Sequence, residues 1–140
     1  MRNLWLLIGL MPMLACADET RVALATHWYT DGEVKQGRDV FQTHCAACHG
    51  DHAQGAPAWN AGAASPPPLN GSGHVAHHSL EQLLAKIEQG GQMGNGQMPP
   101  FRDVLTGPQR RAALAYVQSL WPDDVYLNWQ AGHAGIEHQH

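Results

Sequence analysis

Cys45, Cys48 and His49 stand together in the run HCAACHGDH, between His44 and His52. Two thiols three residues apart, followed at once by an imidazole, suit three kinds of chemistry. A redox dithiol uses Cys-x-x-Cys, but normally at a helix start in a strand-rich fold, and no segment here alternates as a strand does. A tetrahedral zinc site could draw Cys45, Cys48 and two of His74, His77 and His78, although at a separation longer than in compact fingers. The third is covalent haem attachment, for which Cys-x-x-Cys-His is the signal. Two thiols on one face of a helical turn can each add to a haem vinyl group, giving two thioethers. An imidazole directly after the second thiol then projects under the porphyrin and can bind iron. His49 has that place, whereas His44 and His52 read as solvent-facing.

An iron held by His49 needs a ligand from the other side, and MPPF offers Met98. Pro99 pushes Met98 out of helical geometry, and the proline pair stiffens an extended loop, which suits a weak thioether ligand. Most methionines are core fillers. Met98, however, lies in a polar, glycine-rich stretch with no helical or strand face to fill. Met93 in the same loop is the alternative and lacks the prolines.

The elements that must position these residues are helices. Thr30 and Glu33 have capping-box spacing, and Val34, Gly37, Phe41 and Cys45 recur on one face, predicting a first helix from about Thr30 to Cys48. Gly37 inside it points to close approach of another backbone. Residues 50–78 read as irregular, since three consecutive prolines exclude a helix interior. Ser79 and Gln82 cap a second helix with an apolar stripe of Leu80, Leu83, Leu84 and Ile87, stopped by Gly90. A last helix starts at Thr106 with Gln109 in capping position, turns Ala113, Leu114, Val117, Leu120 and Trp121 inward, and ends at Pro122. The stretch after Pro122 shows no convincing period. The fold class is small and all-α.

In these ordered features the sequence resembles the class I monohaem c-type cytochromes, over roughly residues 31–121. Gly37 and Phe41 stand eight and four residues before Cys45, as in that family's first helix, and Cys45, Cys48 and His49 match its haem motif. PPLNG at 67–71 matches Pro-x-Leu-x-Gly, Met98-Pro99 the distal ligand motif, and Tyr116 the aromatic of the last helix, which in the family crosses the first near Gly37. Ala113 departs from the larger aliphatic residue often found there. The resemblance implies three to four helices wrapped around one haem c, held through two thioethers. It also implies that His49 and Met98 bind the iron, that the Pro67 carbonyl accepts a hydrogen bond from His49, and that Leu69 packs against haem. A closed His/Met iron exchanges one electron with little rearrangement, and the thioether raises its potential relative to a bis-His site.

The expected domains are a targeting segment at 1–17, a lead-in or tether at 18–29, the cytochrome domain at 30–121 and a C-terminal extension at 122–140. Arg2 followed by the apolar run Leu4–Leu14 is too short to cross a bilayer as a mature helix and reads as an export signal. Two cleavage readings stay open. The early cut and the cysteine favour lipidation of Cys16, while Met13, Leu14 and the small residues Ala15 and Ala17 favour ordinary cleavage after Ala17. Either route exports the chain in a bacterium, to the periplasm or tethered there to a membrane.

Eight Lys+Arg against twelve Asp+Glu give a formal charge of −4, without the clustered basic face that nucleic acid requires. The partners expected are redox proteins, one donor and one acceptor. With Lys35 and Lys86 the only lysines, a lysine-ringed docking edge is not expected. The main expectation is a one-electron carrier, not an enzyme, with a haem subunit of a larger oxidase or dehydrogenase as the alternative. A haem peroxidase ranks lower because no distal acid–base is recognisable. Copper or zinc binding by His74, His77 and His78, or by His133, His138 and His140, ranks lower too, since histidines on an exported chain are mostly solvated. Tyr126 and Trp129 in the tail are expected to fold back over the helices.

Overall fold

The computed structural model of the chain describes residues 27–57, 59, 65–93 and 97–133. Residues 1–26, and with them the export signal and Cys16, lie outside the described residues, as do His138 and His140. Helices are the only regular elements among the described residues. They are α1 (Asp31–His44), α2 (Ala46–His49), α3 (Leu80–Gln89), α4 (Gly107–Ser119) and α5 (Asp123–His133), with 3₁₀ turns at His74–His77 and Gly90–Met93.

All three expected capping boxes form. Thr30, Ser79 and Thr106 each accept from the backbone of the third helical residue, and the Glu33, Gln82 and Gln109 side chains reach back. Each satisfies two N–H groups that a helix start leaves without a partner. The most extensive contact is between α1 and α4. Where they cross, a Cβ on Gly37 would overlap the Ala112 carbonyl, so only glycine permits this approach. Phe41 and Tyr116 meet beside the crossing, with ring centroids 5.3 Å apart. Ala113, the small residue at the departure noted above, is buried with Val40, Phe101 and Leu105, while Leu114 joins the main core.

Two expectations are corrected. The first helix does not run through Cys48: α1 stops at His44, Cys45 caps both neighbours, and α2 is one separate turn. The tail, which shows no convincing period in the sequence, forms a helix over Asp123–His133. α4 ends at Ser119, clear of Pro122, and α5 begins just after that proline, whose carbonyl takes the Tyr126 N–H at 3.0 Å. Asp123 and Asp124 in its first turn complement the helix dipole. Tyr126 and Trp129, three residues apart on α5, are buried in the main core, so the tail does fold back. The end of the lead-in joins it there: His27 lies against Tyr126 at 4.5 Å, and Tyr29 at 6.0 Å.

Candidate functional site

α2 and its N-cap bring together Cys45, Cys48 and His49. Cys45 closes α1 by donating its N–H to Phe41 O at 2.8 Å, and the single turn that follows carries Cys48 and His49 on its last residues. Cys48 is exposed and Cys45 half-buried, and both thiols are free. Burial, and then the neighbouring Cys48, push the Cys45 thiol up to about 11. A thiol raised in this way opposes the redox-dithiol reading, which needs a stabilised thiolate. Among the described residues no group of three or more His, Cys, Asp or Glu side chains could hold a metal ion. His74, His77 and His78 are exposed, so the zinc and copper readings that used them find no assembled site. His44 and His52 are exposed, as expected.

His49 is the opposite case: the residue is only 8% exposed. Its Nδ1 lies 3.0 Å from the Pro67 carbonyl oxygen, across 18 residues of sequence. A carbonyl only accepts, so Nδ1 carries the hydrogen and Nε2 is left with its lone pair. Burial holds the imidazole below its ordinary range, against the smaller opposing effect of the Pro67 hydrogen bond, and the ring stays neutral. No hydrogen bond among the described residues goes to Nε2.

The loop after α2 fits its backbone closely around the 66–68 strap. Ala53, fully buried, adopts a left-handed φ of 55° and offers its carbonyl to Leu69 N–H at 2.7 Å. Gly55 (φ 75°) donates to His49 O at 2.7 Å, and a Cβ there would stand 2.5 Å from Pro68 N. Leu69 itself packs half-buried against the main core.

Met98 is also half-buried, packed against Val40, Phe101, Leu105 and Ala113. Its carbonyl accepts from Gly91 N–H at 2.8 Å, and Phe101 N–H donates to Ile87 O at 3.1 Å, so the MPPF segment is tied back to the end of α3. Gly90 (φ 69°) makes that return possible, because a Cβ there would stand 2.5 Å from Met98 O and 2.7 Å from Pro100 N. The Met93 side chain lies outside the described residues. Ile87 touches both the core around Leu69 and the cluster around Met98. With Leu80 and Leu84 it forms an α3 face that the polypeptide alone only half buries.

Residues 32–117 match the family described as cytochrome C oxidase, cbb3-type, subunit III. The chain belongs to this family. It is a c-type cytochrome domain, carrying covalent haem c with iron and working in electron transfer. The cytochrome domain is 32% identical over 93 residues to the cbb3-type cytochrome c oxidase subunit FixP of Sinorhizobium medicae (strain WSM419), over 62% of this chain and 30% of that protein. It is also 32% identical over 89 residues to subunit CcoP of Azospirillum sp. (strain B510), over 64% of this chain and 29% of that protein. The chain thus spans about a third of the length of these relatives. In fold it is similar to cytochrome CL from Methylophaga aminisulfidivorans MPT, with a TM-score of 0.54 and 24% identity over 76% of this chain and 69% of that one. The residues present fit a haem: a buried neutral imidazole with one nitrogen free, two free thiols beside it, and apolar side chains half covered.

The indole donors of Trp121 and Trp129 have no signature in the sequence. Trp121 Nε1 donates to Leu69 O at 2.7 Å, and Trp129 Nε1 to His78 O at 2.8 Å. No local pattern could have flagged them, because their partners lie 52 and 51 residues away.

Proposed function

We propose that this domain is a one-electron carrier whose haem is bound by Cys45 and Cys48 through thioethers and ligated by His49 and Met98, with Leu69 packed against the ring. The observation that carries this reading is the buried, neutral His49, its Nδ1 on Pro67 O and its Nε2 free. The haem supplies the one-electron couple, and the residues tune it. Pro67 draws on the Nδ1 hydrogen and makes the imidazole more electron-rich, which favours ferric iron. Met98, a neutral soft donor, favours the ferrous state. Leu69, Leu80, Leu84 and Ile87 keep water away and so disfavour the extra charge of ferric iron. Held by both His49 and Met98, the iron would have no position left for a substrate.

The test is Met98→Ala in protein matured with haem. The weak red-edge band of thioether-bound ferric haem is expected to vanish, the potential to fall sharply, and cyanide to bind. An unchanged potential and spectrum would remove Met98 from the iron.

A second reading, a haem module delivering electrons to a terminal oxidase, is supported by the names of the relatives. It predicts that the domain copurifies with an oxidase from gently solubilised native membranes, whereas an independent shuttle migrates alone. No described helix is long and apolar enough to cross a membrane. We propose that export, with lipidation at Cys16 or cleavage after Ala17, places the carrier on the periplasmic side. Mass spectrometry of the mature N-terminus distinguishes the two. The partners are a redox donor and acceptor that meet a surface poor in lysine.

A further inference from the structure

The strap that meets His49 is built from Pro66, Pro67 and Pro68, which have no backbone N–H to tie it down. It is held at its ends instead. Ala56 N–H donates to Pro66 O at 2.9 Å, and beyond Pro68 the peptide of Leu69 is gripped on both sides. Its N–H goes to Ala53 O at 2.7 Å, and its carbonyl takes the Trp121 indole at 2.7 Å. Trp121 is 5% exposed and meets Trp129 edge-on, with centroids 5.9 Å apart at 85°. Trp129 is itself anchored to His78 O. Two mutually packed indoles therefore hold two carbonyls of the 69–78 connection. Both lie beyond residue 117, where the family match ends.

We propose that Trp121, backed by Trp129, is a positioning residue for the haem. By holding Leu69 it keeps the Pro67 carbonyl where it accepts the His49 hydrogen, and so helps to set the reduction potential. The proposal rests on the reading of His49 as the iron ligand. Without the indole donor, the half-buried Leu69 carbonyl loses its partner and the adjoining strap is free to relax. The Nδ1–H···O bond weakens, the imidazole becomes a poorer donor, and the ferrous state is favoured.

The experiment uses the haem-loaded protein with Trp121→Phe, which keeps most of the ring and removes the N–H. Expected are a raised potential, a retained red-edge band, and roughly tenfold faster exchange of the His49 Nδ1 hydrogen in the ferrous state by NMR, the scale of one lost hydrogen bond. Trp129→Phe should move both readouts in the same direction by less. A Trp121→Phe protein that is merely less stable, with potential and exchange unchanged, overturns the proposal and leaves Trp121 a space-filler. If that variant fails to mature, Trp129→Phe decides alone, and no shift there overturns the proposal. In the wild type the Trp121 indole hydrogen must exchange slowly, and fast exchange overturns the proposal whatever the haem does. Wild-type protein without a His-ligated haem would sink the ligand reading itself, and the proposal with it. Normal wild-type spectra with an unmoved Trp121→Phe variant would sink the positioning role alone.

Discussion

The His49 side and the Met98 side of the site are built differently. His49 is held through long-range contacts: Pro67 lies 18 residues along the chain, and Leu69, two residues beyond Pro67, takes the indole of Trp121 from a further 52. Met98 is tied locally, by Gly91 N–H on its own carbonyl and by Phe101 N–H on Ile87 O. The ligand roles proposed for the two residues would account for the contrast. An imidazole has a second nitrogen whose partner sets tautomer, ring orientation and basicity, so the fold has to bring a carbonyl to it. A thioether has no such handle, so a stiff backbone and apolar packing are all that can hold it.

Two glycine substitutions set the sides against each other and carry the largest expected effects. Gly90→Ala and Gly55→Ala each force a side chain into a left-handed backbone and against neighbouring main chain. Each should cost about 3 kcal/mol by urea titration. Their signatures should differ. Gly90→Ala is expected to weaken the red-edge band and leave the His49 hydrogen protected. Gly55→Ala should keep the band and speed that exchange. Identical signatures would mean the two sides move as one unit.

A substitution away from both sides should affect neither. Trp28 donates Nε1–H to Gln118 Oε1, and Arg111 lies 4.8 Å over its ring. Trp28→Phe is expected to cost about 1 kcal/mol of stability with potential and band unchanged. A shifted potential would join the lead-in to the site.

The smallest effect is that of pH. Burial holds His49 below the ordinary imidazole value of 6.5 in the folded chain, and unfolding restores that value. As pH falls through 6.5 the unfolded chain takes up the proton first. The contribution to stability is therefore complete above 6.5 and lost as pH falls toward the lower folded value. Iron on Nε2 would act in the same direction. The urea midpoint should drop between pH 7.5 and 5.5 equally in wild type and Met98→Leu, because a thioether has no proton to gain. A drop that disappears in Met98→Leu would move the titration to the other side of the site.

Legibility in the sequence followed the range of the interaction. Thr30/Glu33, Ser79/Gln82 and Thr106/Gln109 were readable because a capping box is closed by residues three apart. Gly37 was readable because an interior helical glycine needs a reason, and the crossing with α4 supplies it. The break at Cys45 was missed because the periodicity of α1 runs through it without a proline or glycine to mark it. α5 was missed because Pro122 looked like an end when it also precedes a start, and because Val125, Tyr126 and Trp129 make too short a stripe to stand out.

By itself, the sequence determined the capped starts of α1, α3 and α4, the thiol–imidazole triplet, the proline-stiffened methionine, and a resemblance that the family match bears out, since each depends on neighbours a few residues apart. Only the tertiary structure decided which histidine is buried and neutral, that His74, His77 and His78 assemble no metal site, and that the indoles of Trp121 and Trp129 hold the loop beside His49. Burial and long-range hydrogen bonds belong to residues that the chain brings together only once it has folded.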